Sequence, residues 1–182
     1  MVDDFFGSEL TAALRGDCQA SGGLGDFREA KVGSGQRCQT RTDVRSDEIR
    51  WLQQPASSEP QRAFLHHLEQ LRLMLNRTLQ LGLFEFEGHF ARYPAGAFYA
   101  RHIDQLHGDS HRTLSCVLYL NENWKPGDGG ELRLYLDGHG AGFEDVLPLG
   151  GRLVIFLSGR FAHEVLPAKR ERLSIAGWFK TR

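Results

Sequence analysis

The stretch YARHIDQ, Tyr99 to Gln105, sets a histidine and an aspartate two positions apart at the end of an aromatic, extended run. Side chains of a β-strand alternate faces, so His102 and Asp104 share one face and can reach a common point. Joined by a second histidine they would form a 2-His-1-carboxylate facial triad. Such a triad leaves half the octahedral shell of iron(II) open for cosubstrate and oxygen. The HxD pair alone carries little weight, because two polar residues on the solvent face of a strand look the same.

The third ligand must come from another strand, and His163 has the right setting. It follows the apolar strand and turn GRLVIFLSGRFA and opens the strand HEVLPA. The other histidines read differently. His66 and His67 lie on a helical pattern, solvated or half-buried, while His107 and His111 in a polar loop and His139 in a glycine turn read as surface residues. His89 fits a strand in EFEGHFARY, but nothing near it completes a site.

Nine residues beyond His163 comes Arg172, at the head of RLSIAGWFK. Alternation puts Leu173, Ile175 and Phe179 on one face and Arg172, Ser174, Ala176 and Trp178 on the other. An arginine among small residues inside a barrel needs an anionic partner, since burying it alone costs several kcal/mol. That partner is either a structural carboxylate or a small dicarboxylate gripped by the guanidinium fork. In TLSCVLYLN, Leu114, Cys116, Leu118 and Leu120 share an apolar face. Thr113, Ser115, Val117 and Tyr119 share the other, so Tyr119 offers a hydroxyl on a mixed face. Tyr93, nine residues before His102, is a second polar aromatic of the same kind.

The elements that must position these groups follow from periodicity. SELTAALRGDCQA reads as a helix capped by Ser8, with Leu10, Ala13 and Leu14 on one side and Gly22 and Gly23 closing it. Residues 31–50 are polar and glycine-bearing, a loop or two-stranded finger rather than a core element. A longer helix starts at a capping box, Ser58 to Gln61, carries Pro60 in its first turn, buries Phe64, Leu68, Leu71 and Leu75, and stops before Gly82. From Phe84 the period switches to two, giving strands near 84–93, 97–104, 113–120, 131–136, 152–158, 162–166 and 172–180. Helices first and some seven strands after predict a mostly β fold, an antiparallel sandwich or jelly roll braced by helices, in a single domain over 1–182.

Composition narrows the function classes. The 182 residues are 41% hydrophobic and 25% charged with a formal net charge of -1, an ordinary globular balance without the basic footprint of a nucleic-acid binder. Cys18, Cys38 and Cys116 lack CxxC spacing, so neither a disulfide framework nor a zinc knuckle is expected. No stretch approaches the ~20 apolar residues of a membrane span, and the start lacks the basic and apolar regions of a signal peptide. A cytoplasmic protein is expected.

Taken together, RSDEIRWL, RYPAGAFYARHID, CVLYLNENW, GGELRLY, FAHEVLPA and RLSIAGWF resemble the iron(II)- and 2-oxoglutarate-dependent prolyl 4-hydroxylases, within them the hypoxia-inducible-factor type. The resemblance runs over nearly the whole chain. It implies a double-stranded β-helix with iron(II) held by His102, Asp104 and His163. It implies that Arg172 and Tyr119 grip the distal carboxylate of 2-oxoglutarate, with Tyr93 near the cosubstrate and Trp178 packing the pocket wall. Asp47, Trp51 and Arg112 look like the family's peptide-contacting positions, and the 31–50 finger would close over the peptide. The implied reaction is hydroxylation of a peptidyl proline at C4, with oxygen as cosubstrate, ascorbate as reductant, a monomeric enzyme and a possible role in oxygen sensing. A cellular protein is the implied substrate, with elongation factor Tu as the family-level suggestion. Two alternatives stand beside it: a 2-oxoglutarate oxygenase of a free amino acid, small metabolite or alkylated base, and a non-catalytic jelly-roll binding module. Base-repair relatives are expected to carry a second arginine where this chain has Trp178, which counts against nucleic acid.

Overall fold

A computed structural model describes residues 1–21, 27–33, 39–53, 56, 58–105, 111–137 and 142–182. Gly22, Gly23, Cys38, His107, His139 and residues 34–38 of the finger lie outside them. Ten strands and two helices follow in the order Ser8–Ser21 (α1), Arg28–Glu29 (β1), Glu48–Trp51 (β2), Glu59–Leu79 (α2), Glu85–Tyr93 (β3), Tyr99–His102 (β4) and Arg112–Tyr119 (β5). Then come Leu132–Tyr135 (β6), Phe143–Val146 (β7), Leu153–Leu157 (β8), His163–Val165 (β9) and Arg172–Lys180 (β10). A six-stranded sheet, β1-β2-β3-β10-β5-β8, faces a four-stranded one, β4-β9-β6-β7, and paired strands are antiparallel. This is the jelly roll that the period-2 pattern predicts.

The helices cover the outer face of the larger sheet. Ser58 caps α2 by accepting from the Gln61 N–H at 3.3 Å, as the capping box predicts. Its last turn closes earlier than Gly82: Gln80 takes the left-handed conformation and donates its backbone N–H to Asn76. In α1 the cap is Gly7 rather than Ser8. Its carbonyl accepts from the Thr11 N–H, and the positive φ of 78° suits glycine. The buried stripe of α1 is Thr11, Leu14 and Cys18, with Leu10 at its margin, while Ala13 is exposed.

The two helices are tied together by Asp17, which accepts from both Ser58 and Gln61 at 2.7 Å. Beneath them Phe64, Leu68 and Leu71 of α2 meet Leu114, Cys116 and Leu118 of β5 and Leu173, Ile175 and Phe179 of β10. The apolar faces read from alternation therefore point at the helices. The opposite faces look into the space between the sheets, where Tyr93, Tyr119, Val154 and Phe156 oppose Leu132, Val146 and Val165.

Two expectations need correcting. The 31–50 region is not wholly a finger outside the sheet: Val32 bridges Gln39, but Glu48–Trp51 pairs with β3 as a full strand. Its residues mix charge with apolar side chains because one edge of the sheet is half exposed. Phe143–Val146 escaped the reading because FEDV faces solvent over three of its four residues and shows no alternation. Phe64 is 1% exposed and meets the rings of Phe6 and Phe86 at 5.2 and 6.3 Å. Phe64→Ala is expected to lower unfolding stability by about 3–5 kcal/mol in denaturant titration.

Candidate metal centre and cosubstrate pocket

Pairing of β4 with β9 sets His102 opposite His163. Strand β4 ends at His102, so Asp104 stands in the bend beyond it rather than on the strand, yet it turns to the same point. The Nε2 atoms of His102 and His163 each lie 3.5 Å from a different oxygen of Asp104. One ligand atom from each of the three residues falls within 4.8 Å of the others, a donor set that could hold one divalent ion.

The backbone fixes how the imidazoles point. Nδ1 of His102 lies 2.8 Å from the Ala100 carbonyl, and Nδ1 of His163 lies 3.1 Å from that of Phe161. A carbonyl only accepts, so Nδ1 donates to it and leaves Nε2 as the ligating nitrogen, turned toward Asp104. Ser115 donates to Asp104 Oδ2 at 2.6 Å, and the Ser158 hydroxyl, 2.9 Å behind it, donates to Ser115 in turn. Burial alone would raise the Asp104 pKa, but facing His163, His102 and the Ser115 hydroxyl hold it well below the usual carboxylate range.

A stack supports His102 from the other side. The Tyr99 ring lies parallel to it at 3.6 Å, and the Arg45 guanidinium covers Tyr99 at 4.2 Å. Arg45 is locked by a bidentate pair with Asp47, at 2.6 and 2.7 Å. Asp47 is thus 2% exposed with its carboxylate on Arg45, and reaches the cleft only through that arginine.

Along the inner face of the large sheet, register sets Arg172 beside Tyr93, Ser174 beside Tyr119, and Trp178 beside Ser115. Arg172 is 2% exposed. Its Nε donates to the Gly130 carbonyl at 2.9 Å and one terminal nitrogen to Ser174 at 3.3 Å, while its charge lies 4.9 and 5.0 Å from the rings of Tyr93 and Tyr119. Among the described residues no carboxylate pairs with it. The Tyr119 hydroxyl beside it is buried without a hydrogen-bond partner among the described residues. Burial raises that phenol's pKa, with Arg172 opposing, so it stays a neutral donor. Gly130 makes the close approach possible: its φ is +71°, and a Cβ there would meet the Arg172 Cδ at 3.1 Å.

His102, Asp104, His163, Ser115, Tyr93 and Arg172 line one cleft of about 960 Å³. Trp178 lies toward the metal end, six residues along β10 from Arg172, with Arg112 stacked on it at 3.5 Å and held by Glu87 at 2.9 Å. Trp51, 49% exposed, meets His89 edge-on at 5.0 Å, and His89 meets Trp178 at 5.6 Å. His89, read above as belonging to no site, therefore faces the cleft. Ser115 was legible as a face-mate of Tyr119 but carried no role, and Ser158, Arg45 and Tyr99 gave no chemical signal of their own. His66, His67 and His111 are exposed, as expected.

Residues 88–180 match the sequence profile of the 2OG-Fe(II) oxygenase superfamily. The chain belongs to that superfamily. It is 44% identical to a Pseudomonas putida prolyl-4-hydroxylase of known structure, with a TM-score of 0.89 over 100% of this chain and 91% of that one. A Trichoplax adhaerens prolyl hydroxylase, solved with a hypoxia-inducible-factor peptide fragment, is 27% identical with a TM-score of 0.83, covering 98% and 81% of the two chains. Human Egl nine homolog 1 is 32% identical over 98% of this chain but 43% of its own length. The chain spans about half the length of the curated relatives it matches. Superfamily members use iron(II), 2-oxoglutarate and oxygen. The donor set suits the first, and the unpaired Arg172 with the unsatisfied Tyr119 hydroxyl suits the far carboxylate of the second.

Ser115→Ala is expected to weaken iron(II) binding about 10–100-fold in anaerobic titration, because Asp104 loses its orienting donor. The metal-free protein is expected to lose stability as pH falls from about 6.5 to about 4. Burial drives His163 and His89 from 6.5 down to about 4, so in that window the unfolded chain takes up protons that the folded chain refuses. Asp104 acts below that window, since its lowered pKa stabilises the fold at every pH above the ordinary 3.8. Denaturant midpoints measured across the range check this, and a flat profile would show the imidazoles charging within the fold.

Proposed function

We propose that this protein hydroxylates a proline within a polypeptide, with iron(II) at His102, Asp104 and His163 and 2-oxoglutarate bound through Arg172 and Tyr119. The observation that carries the reading is Arg172, a buried cation without a carboxylate partner among the described residues, in the same cleft as the His-Asp-His cluster. Its fork matches the planar geometry of a carboxylate, and the neutral Tyr119 hydroxyl adds a donor from the neighbouring strand. Tyr93 closes the other side of the guanidinium. Val117 and Ala176, on the same inner face between Arg172 and the metal end, leave room for a short dicarboxylate.

When bound, iron supplies oxygen activation coupled to the decarboxylation of 2-oxoglutarate to succinate and carbon dioxide. The chain's own residues do the positioning. Ser115 and the two backbone carbonyls hold the ligand atoms, and the Arg45–Tyr99 stack holds the His102 ring. No side chain is needed as a general base. A cleft larger than one dicarboxylate, with Trp51, Trp178 and Arg112 at its metal end, supports a polymeric substrate. The relatives' substrates point the same way: the Trichoplax enzyme was solved with a peptide.

The reading extends to a monomeric cytoplasmic enzyme using ascorbate as reductant, with elongation factor Tu the first protein to examine and oxygen sensing a role to test. Among the described residues no helix is long and apolar enough to cross a membrane. Proteome-wide mass spectrometry comparing cells carrying the native chain with cells carrying His102→Ala is expected to show a proline that loses one oxygen atom in the variant. If the purified protein consumes 2-oxoglutarate while hydroxyproline is unchanged in every protein, the substrate is a free amino acid or small metabolite. Arg172→Leu is expected to raise the KM for 2-oxoglutarate about 10–100-fold, the worth of a lost charge-assisted pair.

A further inference from the structure

The cleft holds two polar atoms that neither the metal cluster nor the Arg172 pocket uses. His89 is 4% exposed, and its Nδ1 is buried without a hydrogen-bond partner among the described residues. The indole Nε1 of Trp178 is buried and unpartnered in the same way, and the two rings are 5.6 Å apart. Leaving such groups unsatisfied costs about 1–3 kcal/mol each. A phenylalanine or leucine at 89 would fill the space between Trp51 and Trp178 without that penalty, so packing alone does not account for an imidazole.

We propose that His89 is a substrate-binding residue, whose Nδ1 and the Trp178 indole N–H together seat the main-chain N–H and C=O of one extended residue of the polypeptide substrate. The chemistry of the pair fits the main chain of one extended residue. An indole N–H can only donate, and so takes a carbonyl oxygen; a neutral imidazole nitrogen can accept, and so takes an amide N–H. Burial keeps His89 neutral at physiological pH, with Arg45 adding to the effect. Proline has no N–H to offer, so the amide comes from a residue flanking the target proline. Both atoms are shut from water, and the half-exposed Trp51 edge against His89 is the side chain that a polypeptide displaces to reach them.

This inference rests on the polypeptide-substrate reading above, and the test separates the two. Iron(II)-loaded protein is assayed with short single-proline peptides, fitting separate KM values for peptide and 2-oxoglutarate in the native chain, His89→Leu and His89→Asn. His89→Leu is expected to raise the peptide KM about tenfold while the 2-oxoglutarate KM holds. His89→Asn, which returns a polar atom at the Nδ1 position, is expected to recover most of that loss. A peptide KM within about twofold of native in His89→Leu, or an equal loss in both variants, overturns the seat but leaves the enzyme a peptide hydroxylase. If the native chain turns over 2-oxoglutarate yet hydroxylates no peptide, the polypeptide reading fails and the seat with it. Should His89→Leu not fold, ester-for-amide peptides on the native chain give the same answer: one ester position raises KM about tenfold, and no position doing so overturns the seat.

Discussion

A guanidinium at 2% exposure, with no carboxylate beside it among the described residues, is the constraint around which this fold is arranged. An uncompensated buried charge opposes folding by several kcal/mol, so the surroundings of Arg172 must offset it in part and leave the rest to a ligand. The Gly130 carbonyl, the Ser174 hydroxyl and two tyrosine faces supply the partial compensation. Each is neutral. Among the described residues the site therefore keeps a positive charge without a counter-charge, which the proposed dicarboxylate would supply.

The metal end is built on the opposite logic. Asp104 brings a negative charge that the His163 and His102 imidazoles and the Ser115 hydroxyl face, and these partners hold its carboxyl below the usual carboxylate range despite burial. Each ligand is held from behind by a group that cannot titrate away: two backbone carbonyls and one serine. His102, at the end of a short strand, gains the Tyr99–Arg45–Asp47 stack. That stack joins the residues just before β2 to an iron-ligand position through a contiguous set of contacts.

Much of this was legible in the sequence because strands carry a strict period. The alternation in RLSIAGWFK and TLSCVLYLN assigned Arg172, Trp178 and Tyr119 to the inner face correctly, and HxD marked the cluster even though Asp104 lies past its strand's end. What stayed hidden depends on register between strands distant in sequence. That Ser115 falls beside Trp178 and bonds Asp104, or that His89 lies between Trp51 and Trp178, follows from pairing of β2, β3, β5 and β10, which one-dimensional spacing does not encode. Asp47 shows the same limit. The resemblance set it among the peptide-contacting positions, and the pairing of its carboxylate with Arg45, two positions earlier, was not legible. The short strand FEDV was hidden for another reason, since an exposed edge imposes no apolar pattern.

The unpaired cation is tested most directly by a crystal structure of the protein with manganese(II), as an unreactive stand-in for iron, and 2-oxoglutarate. The account predicts the distal carboxylate within hydrogen-bond distance of both the Arg172 guanidinium and the Tyr119 hydroxyl, with the metal on His102, Asp104 and His163. A protein carboxylate on Arg172, or 2-oxoglutarate bound with that end of the cleft untouched, would contradict it.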